Sequence, residues 1–210
     1  MACISPSRLK VNVFLKMNYP DIVNQLIKNR RSVYLNLFTG ERVDDAIVRQ
    51  MLENANTAPS HKLTQPWRFV VFTGEGIKRF ARFQAELYKK TAEKNGDFKQ
   101  PEYEKLSTKP LSASHIIAIG MKRDEKERVP EVEEIASVAC AVQNMYLTAE
   151  AYGVGCYWGS GGVTYYEEAK EFFGLGPKDR LLGFFYIGAP RVRPAGVKRT
   201  PVEEKTRWER

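Results

Sequence analysis

The chain has little of what sites of covalent or metal chemistry are usually made from. Its 210 residues include three cysteines and two histidines. Cys3, Cys140 and Cys156 form no Cys-x-x-Cys pair. Neither a disulfide framework nor a structural zinc site is expected, and a reducing cytoplasm is the expected setting. Cys140 and Cys156 sit in apolar stretches and read as buried, inert thiols. His61 and His115 do not make a histidine-rich metal centre. His61 has no acidic neighbour in sequence to orient it, so no nucleophilic triad is argued. Long apolar runs are missing too. The longest candidates, 154–158 and 181–189, are of strand length, far below the roughly 20 residues that span a bilayer.

What is present is ordinary for a globular protein, with 43% hydrophobic and 28% charged residues. The formal charge of +8 invites a nucleic-acid reading until it is located. Residues 1–16 hold Arg8, Lys10 and Lys16 and no acid, while 191–210 hold seven Lys/Arg against Glu203, Glu204 and Glu209. The body between them is nearly neutral, which argues against a nucleic-acid surface. Lys10 and Lys16 also interrupt any signal-peptide core. We expect an N-terminal extension over 1–16 (with Met17 as an alternative start), one domain over 17–190, and a basic arm over 191–210 that frays or wraps another subunit.

Apolar spacing predicts helices over 20–29, 44–56, 75–94, 130–152 and 164–173, and strands over 69–72, 115–121, 154–158 and 181–189. The stretch 95–112, with Asn95-Gly96-Asp97, Pro101 and Pro110, reads as a loop or lid. Helices and strands interleave without a linker, so the fold class is α+β with helices packed on a sheet. The 130–152 helix carries enough small residues to pack closely against another helix, including one from a second subunit.

Three segments stand out chemically. Arg30-Arg31-Ser32 closes the first helix. Basic side chains there offset the helix dipole, a purely structural role; equally, two guanidinium forks and a hydroxyl suit a phosphate. Residues 153–162, Gly-Val-Gly-Cys-Tyr-Trp-Gly-Ser-Gly-Gly, run from a helix end through a strand into a glycine-rich turn. There the backbone approaches a ligand closely or simply turns. Trp158 is either core or a stacking surface. The 59–66 loop, with Pro at both ends, holds His61 as a loop histidine.

In order, these pieces resemble the FMN-dependent nitroreductase family over about 19–190. The resemblance rests on Asn29-Arg-Arg-Ser32, Ala55-Asn-Thr-Ala-Pro-Ser60, Gln65-Pro-Trp-Arg-Phe-Val-Val71, the helix around Ala136–Gly155, Phe173-Gly-Leu-Gly-Pro177 and Leu182-Gly-Phe-Phe-Tyr-Ile-Gly188. Leu63 and the 158–162 turn are similar to the short, minimal NAD(P)H nitroreductase branch. The resemblance implies a dimeric three-layer α/β/α sandwich around a mostly antiparallel sheet, with FMN at the subunit interface. It implies Arg30, Arg31 and Ser32 at the phosphate, with Trp158, Gly159, Ser160 and Gly161 near the flavin ring. Thr57, Pro59 and His61 would reach the flavin from the partner, and Arg191 or Arg193 would add a phosphate contact. NADPH or NADH would be the reductant and a nitroaromatic, quinone or similar conjugated molecule the acceptor, with no catalytic side chain. A related reaction such as reductive dehalogenation, or a non-catalytic flavin-holding role, is the alternative.

Overall fold

The structure, a computed structural model, describes residues 18–210, so the expected 1–16 extension lies outside the described residues. No helix among the described residues is long and apolar enough to cross a membrane. Four strands form one antiparallel sheet: β1 (Trp67–Thr73), β2 (His115–Met121), β3 (Gly155–Gly159) and β4 (Arg180–Gly188), in the order β1-β2-β4-β3. Every residue of β2 is buried, because both sheet faces are covered. One face packs Ile117, Ile119, Phe185 and Ile187 against α2 (Asp45–Ala55) and α5 (Glu131–Ala151). The other packs Ile116, Ala118 and Phe184 against α3 (Glu75–Asn95) and the aromatic segment around Phe173. The three layers match the expectation.

Local chemistry sets the helix ends. Asn18 caps α1 (Tyr19–Asn29) by accepting the Asp21 amide at 3.0 Å, and Asp44 caps α2 through the Ala46 amide at 2.9 Å. Gly96, left-handed at φ 76°, stops α3. Unlike the others, α1 buries no residue: Tyr19, Val23 and Ile27 of its apolar face stand exposed.

Two expected elements differ. The 95–112 stretch is not a loop or lid but carries α4 (Gln100–Thr108) and a short 3-10 turn, Lys109–Ser112. Pro101 lies in the first turn, where a missing N–H costs nothing, so it starts the helix. Phe98 sits between Tyr88 and Tyr103, and the Gln84 amide donates to the Leu106 carbonyl at 2.8 Å, docking α4 on α3. The expected 164–173 helix is instead two single 3-10 turns, Glu167–Ala169 and Glu171–Phe173. The turns themselves close by i to i+3 bonds, while Phe172 stacks on Phe83 at 3.7 Å and holds the segment to the core.

At one end of the sheet the polar groups are buried as well. Glu134, in the first turns of α5, has no exposed surface. Its carboxylate accepts from the Arg123 guanidinium and, at 2.9 Å, from the Asp124 amide. The Arg123 amide donates to Asp179 at 2.9 Å, and the second Asp179 oxygen takes the Gly176 amide. A buried charge that loses its partner is far more costly than a lost surface pair. Glu134→Ala is therefore expected to lower unfolding free energy by about 3–5 kcal/mol. Glu134→Gln, which keeps an acceptor for Asp124, should lose less; urea denaturation of both variants checks the ordering.

Candidate functional site

The segment after α1 is fixed to the sheet by its backbone. The Val33 amide donates to the Cys156 carbonyl at 2.9 Å and the Thr39 amide to the Ala189 carbonyl at 2.9 Å. Arg30, Arg31 and Ser32 consequently line one cavity of about 510 Å³, together with Tyr34 and the returning C-terminal arm. The two arginines divide the roles that the sequence leaves open. Arg31 donates to the Lys28 and Arg30 carbonyls at 2.6 and 2.9 Å, capping the end of α1. Arg30 instead lies over the Tyr146 ring, 4.9 Å from its centroid.

The arm supplies a cation, though neither of the expected two. Arg193 pairs with Glu150, and the Arg191 amide donates to the Leu37 carbonyl. It is Arg199 that lines the cavity, beside Pro194, Ala195 and Val197. Nothing in the spacing of 190–210 marks it, because the arm has no apolar period.

Tyr146 was also hidden in the sequence, where it reads as one more aromatic on a long helix. In the structure its hydroxyl accepts the Trp158 amide at 2.7 Å while its ring lies under the Arg30 guanidinium. Burial pushes its phenol pKa up, and the nearby Ser32 hydroxyl and Trp158 amide only partly offset this. A neutral phenol thus joins the Arg30–Ser32 segment to the end of β3.

Beyond that junction, Gly159, Gly161 and Gly162 rim a second cavity of about 200 Å³, with Tyr157 and Tyr186 in its wall. Tyr34 of the first cavity meets Tyr157 of the second at 4.6 Å between ring centroids. Ser160 is exposed between the two glycines. Trp158 faces the other way: its indole packs against the α5-side core and donates to the Leu182 carbonyl at 3.0 Å. That carbonyl is presented at a bulge in β4, where Gly183 has φ 118° and a Cβ would come within 2.4 Å of the Gly159 carbonyl oxygen. Space at Gly161 is open, with nothing within 4 Å of a built Cβ.

Thr57, Pro59 and His61 are exposed and line neither of these cavities within the protomer. Thr57 donates to the Asn54 carbonyl beside α2. His61 does have an acidic partner, distant in sequence: Nδ1 lies 2.5 Å from Glu133 Oε2. The backbone beyond it is strained, with positive φ at Lys62, Leu63 and Gln65, and Leu63 is 78% exposed. Cys156 is buried and burial raises its thiol pKa far above the ordinary value, as an inert thiol requires. Cys140 corrects the reading, since it is exposed on the outer flank of α5 with Ala136 and Ala139.

A line of Asp45, His115 and Ser114 superficially resembles a catalytic triad. The His115 ring lies 2.9 Å from Asp45 Oδ1 and 2.9 Å from Ser114 Oγ. However, Ser114 is the residue next to His115, and its hydroxyl accepts the Val43 amide at 2.7 Å. The arrangement clips the start of α2 to β2.

Comparison with known proteins agrees with this architecture. The model of the nitroreductase family matches residues 27–189. YfhC, a candidate NAD(P)H nitroreductase of Bacillus subtilis (strain 168), is 31% identical over 190 residues, covering 88% of this chain and 92% of its own. A nitroreductase-like family protein from Bacillus cereus superposes with a TM-score of 0.74 at 31% identity, over 89% of this chain and 95% of that one. A candidate nitroreductase from Desulfovibrio desulfuricans, solved in complex with FMN, shares the fold with a TM-score of 0.68 at 24% identity, over 93% of this chain and 99% of that one. This chain belongs to the nitroreductase family.

Proposed function

We propose that the chain is an FMN-dependent NAD(P)H oxidoreductase that works as a homodimer in a reducing cytoplasm, passing hydride to a nitroaromatic, quinone or similar conjugated acceptor. The observation that carries this is the basic cavity of Arg30, Ser32 and Arg199, joined through Tyr146 to the glycine turn at Gly159. Its donor set fits a phosphate monoester: guanidinium forks for paired oxygens and a short hydroxyl beside them. The aromatic and glycine-lined space beyond fits a planar ring system. When bound, FMN supplies the two-electron chemistry, taking hydride from NAD(P)H and delivering it to the acceptor.

The protein supplies position and charge. Arg30 binds the phosphate while the Tyr146 ring holds its guanidinium in place, and Ser32 adds a hydroxyl donor. Arg199 closes the cavity from the arm. Backbone N–H groups of 159–161 offer donors for negative charge that develops on the ring, in the manner of an oxyanion hole. Thr57, Pro59 and His61 serve the partner's site, which gives a use to the strained loop and its exposed Leu63. The uncovered α1 face and the Ala136–Cys140 flank of α5 supply apolar surface for that partner.

Purified protein should show a flavin absorption spectrum that bleaches when NADPH or NADH is added without oxygen. A colourless protein that takes up no FMN overturns the reading. Arg30→Ala removes charge-assisted bonds of about 1.5–3 kcal/mol, so FMN affinity measured by fluorescence quenching should fall about 10- to 100-fold. Tyr146→Phe strands the Trp158 amide, at a cost of about 1–3 kcal/mol in urea denaturation, and weakens FMN although it need not touch it. Val23→Asp, on the exposed α1 face and outside the cavity lining, should turn a dimer into a monomer in analytical ultracentrifugation and release FMN in the same step. A dimeric Val23→Asp protein with full flavin would remove α1 from the interface.

A further inference from the structure

The cavity of about 200 Å³ beside the glycine turn has a side that the flavin reading leaves without a part. Gly159, Gly161 and Gly162 form its rim and Tyr157 and Tyr186 its aromatic wall, while Gln84 of α3 and Leu106 of α4 complete the lining. Gln84 is 2% exposed, and one end of its carboxamide is accounted for: Nε2 donates to the Leu106 carbonyl at 2.8 Å. That bond fixes the orientation of the amide, because a reversed amide would set two carbonyl oxygens against each other. The other end, Oε1, accepts no hydrogen bond among the described residues. Nor is it sealed in, since Thr64 Oγ1 is the one side-chain polar atom of the described residues that is both unpartnered and without open surface. Gln84 Oε1 therefore keeps a small open surface, and the cavity that Gln84 lines is where it opens. It lies under the turn, as a Cβ on Gly162 would come within 3.0 Å of it.

Polar atoms this deep are almost always paired, so an unpaired acceptor facing a cavity calls for a donor from whatever fills it. The tyrosine wall indicates what kind of molecule carries that donor. Tyr157 and Tyr186 are register partners on β3 and β4, with ring centroids 6.3 Å apart and planes within 15°. Side by side they offer a flat surface suited to one more aromatic ring. A site that bonds a ligand's hydroxyl or amino hydrogen rejects the analogue lacking it, because its own polar group is then left unpaired.

We infer that Gln84 selects the acceptor, taking the hydrogen of a hydroxyl or amino group on an aromatic acceptor and disfavouring acceptors in which that group is methylated. The inference rests on the flavin-reductase reading for its reaction, while the binding preference is testable without it. The probes are 4-nitrobenzyl alcohol and its methyl ether, which present one nitroaromatic ring with and without the donor. Their dissociation constants for the full chain, read from quenching of intrinsic fluorescence, should differ about tenfold in favour of the alcohol. The same factor should appear in kcat/KM with NADPH or NADH, carried by KM. Gln84→Met and Gln84→Glu both give up the amide donation to Leu106, but Gln84→Glu keeps an acceptor in the cavity. The preference should disappear in Gln84→Met and survive in Gln84→Glu, a split that docking of α4 on α3 alone does not produce. Equal or undetectable binding of the two probes by the parent chain overturns the inference and leaves Oε1 to water. A preference that Gln84→Met retains, or that both variants lose, overturns it as well. If neither compound is reduced while the binding preference stands, the site survives and the reductase does not. Reduction of both with equal KM does the reverse.

Discussion

The buried carboxylate of Glu134 sets the frame from which the functional surfaces are measured. It sits without exposure in the first turns of α5 and meets a guanidinium and an amide from the chain that has just left β2. Because an unpaired charge there would be so costly, helix and strand end have one relative position. The neighbouring Glu133 holds His61, and the Arg128 carbonyl, four residues beyond Asp124, takes the Lys62 ammonium at 2.8 Å. The strained 60–65 loop is thus referenced to the start of α5. Positive φ at three non-glycine residues persists because contacts on each side over-determine the loop.

The same helix does this a second time. Tyr146 lies twelve residues on, about 18 Å along the axis at 1.5 Å per residue. Its hydroxyl holds the Trp158 amide of β3, and its ring meets the Arg30 guanidinium. Without the bridge, that segment would depend on its backbone bonds to Cys156 and Ala189, which fix the chain but not the Arg30 side chain. Helix α5 therefore holds two chemically different places at a set separation. Both places are fixed by buried polar groups, which constrain geometry more sharply than apolar packing does.

The legible parts of the chain were those whose physics is local. Helix α2 announces itself through Asp44 and its apolar stripe, and α5 through Glu131, Glu133 and Glu134 at its positive end. The grouping of Arg30, Arg31 and Ser32 in one cavity followed from adjacency. What escaped was decided by partners far along the chain. Pro101 marks a helix start only because Phe98 finds Tyr88 and Tyr103. Arg199 acquires a role only because the arm doubles back past Leu37. Trp158, which the sequence leaves as core or stacking surface, has its indole toward the α5-side core because side chains alternate along β3, and Tyr157 faces the cavity. Cys140 reads as buried from its apolar neighbours, whereas α5 buries one side only.

That one-sidedness bears on how the molecule is completed. Helix α1 runs into Arg30 and leaves Val23 and Ile27 uncovered, so the element that presents the proposed phosphate ligand is itself weakly held. Covering its apolar face would order the cavity, and filling the cavity would order the helix. Any ligand that binds the ordered form strengthens association, and association strengthens ligand binding by the same factor. Thr57, Pro59 and His61, which line no cavity of their own protomer's Arg30 site, add to that coupling if they reach across. In such a design cofactor retention and dimer stability are two readings of a single free energy, and a substitution on α1 moves both.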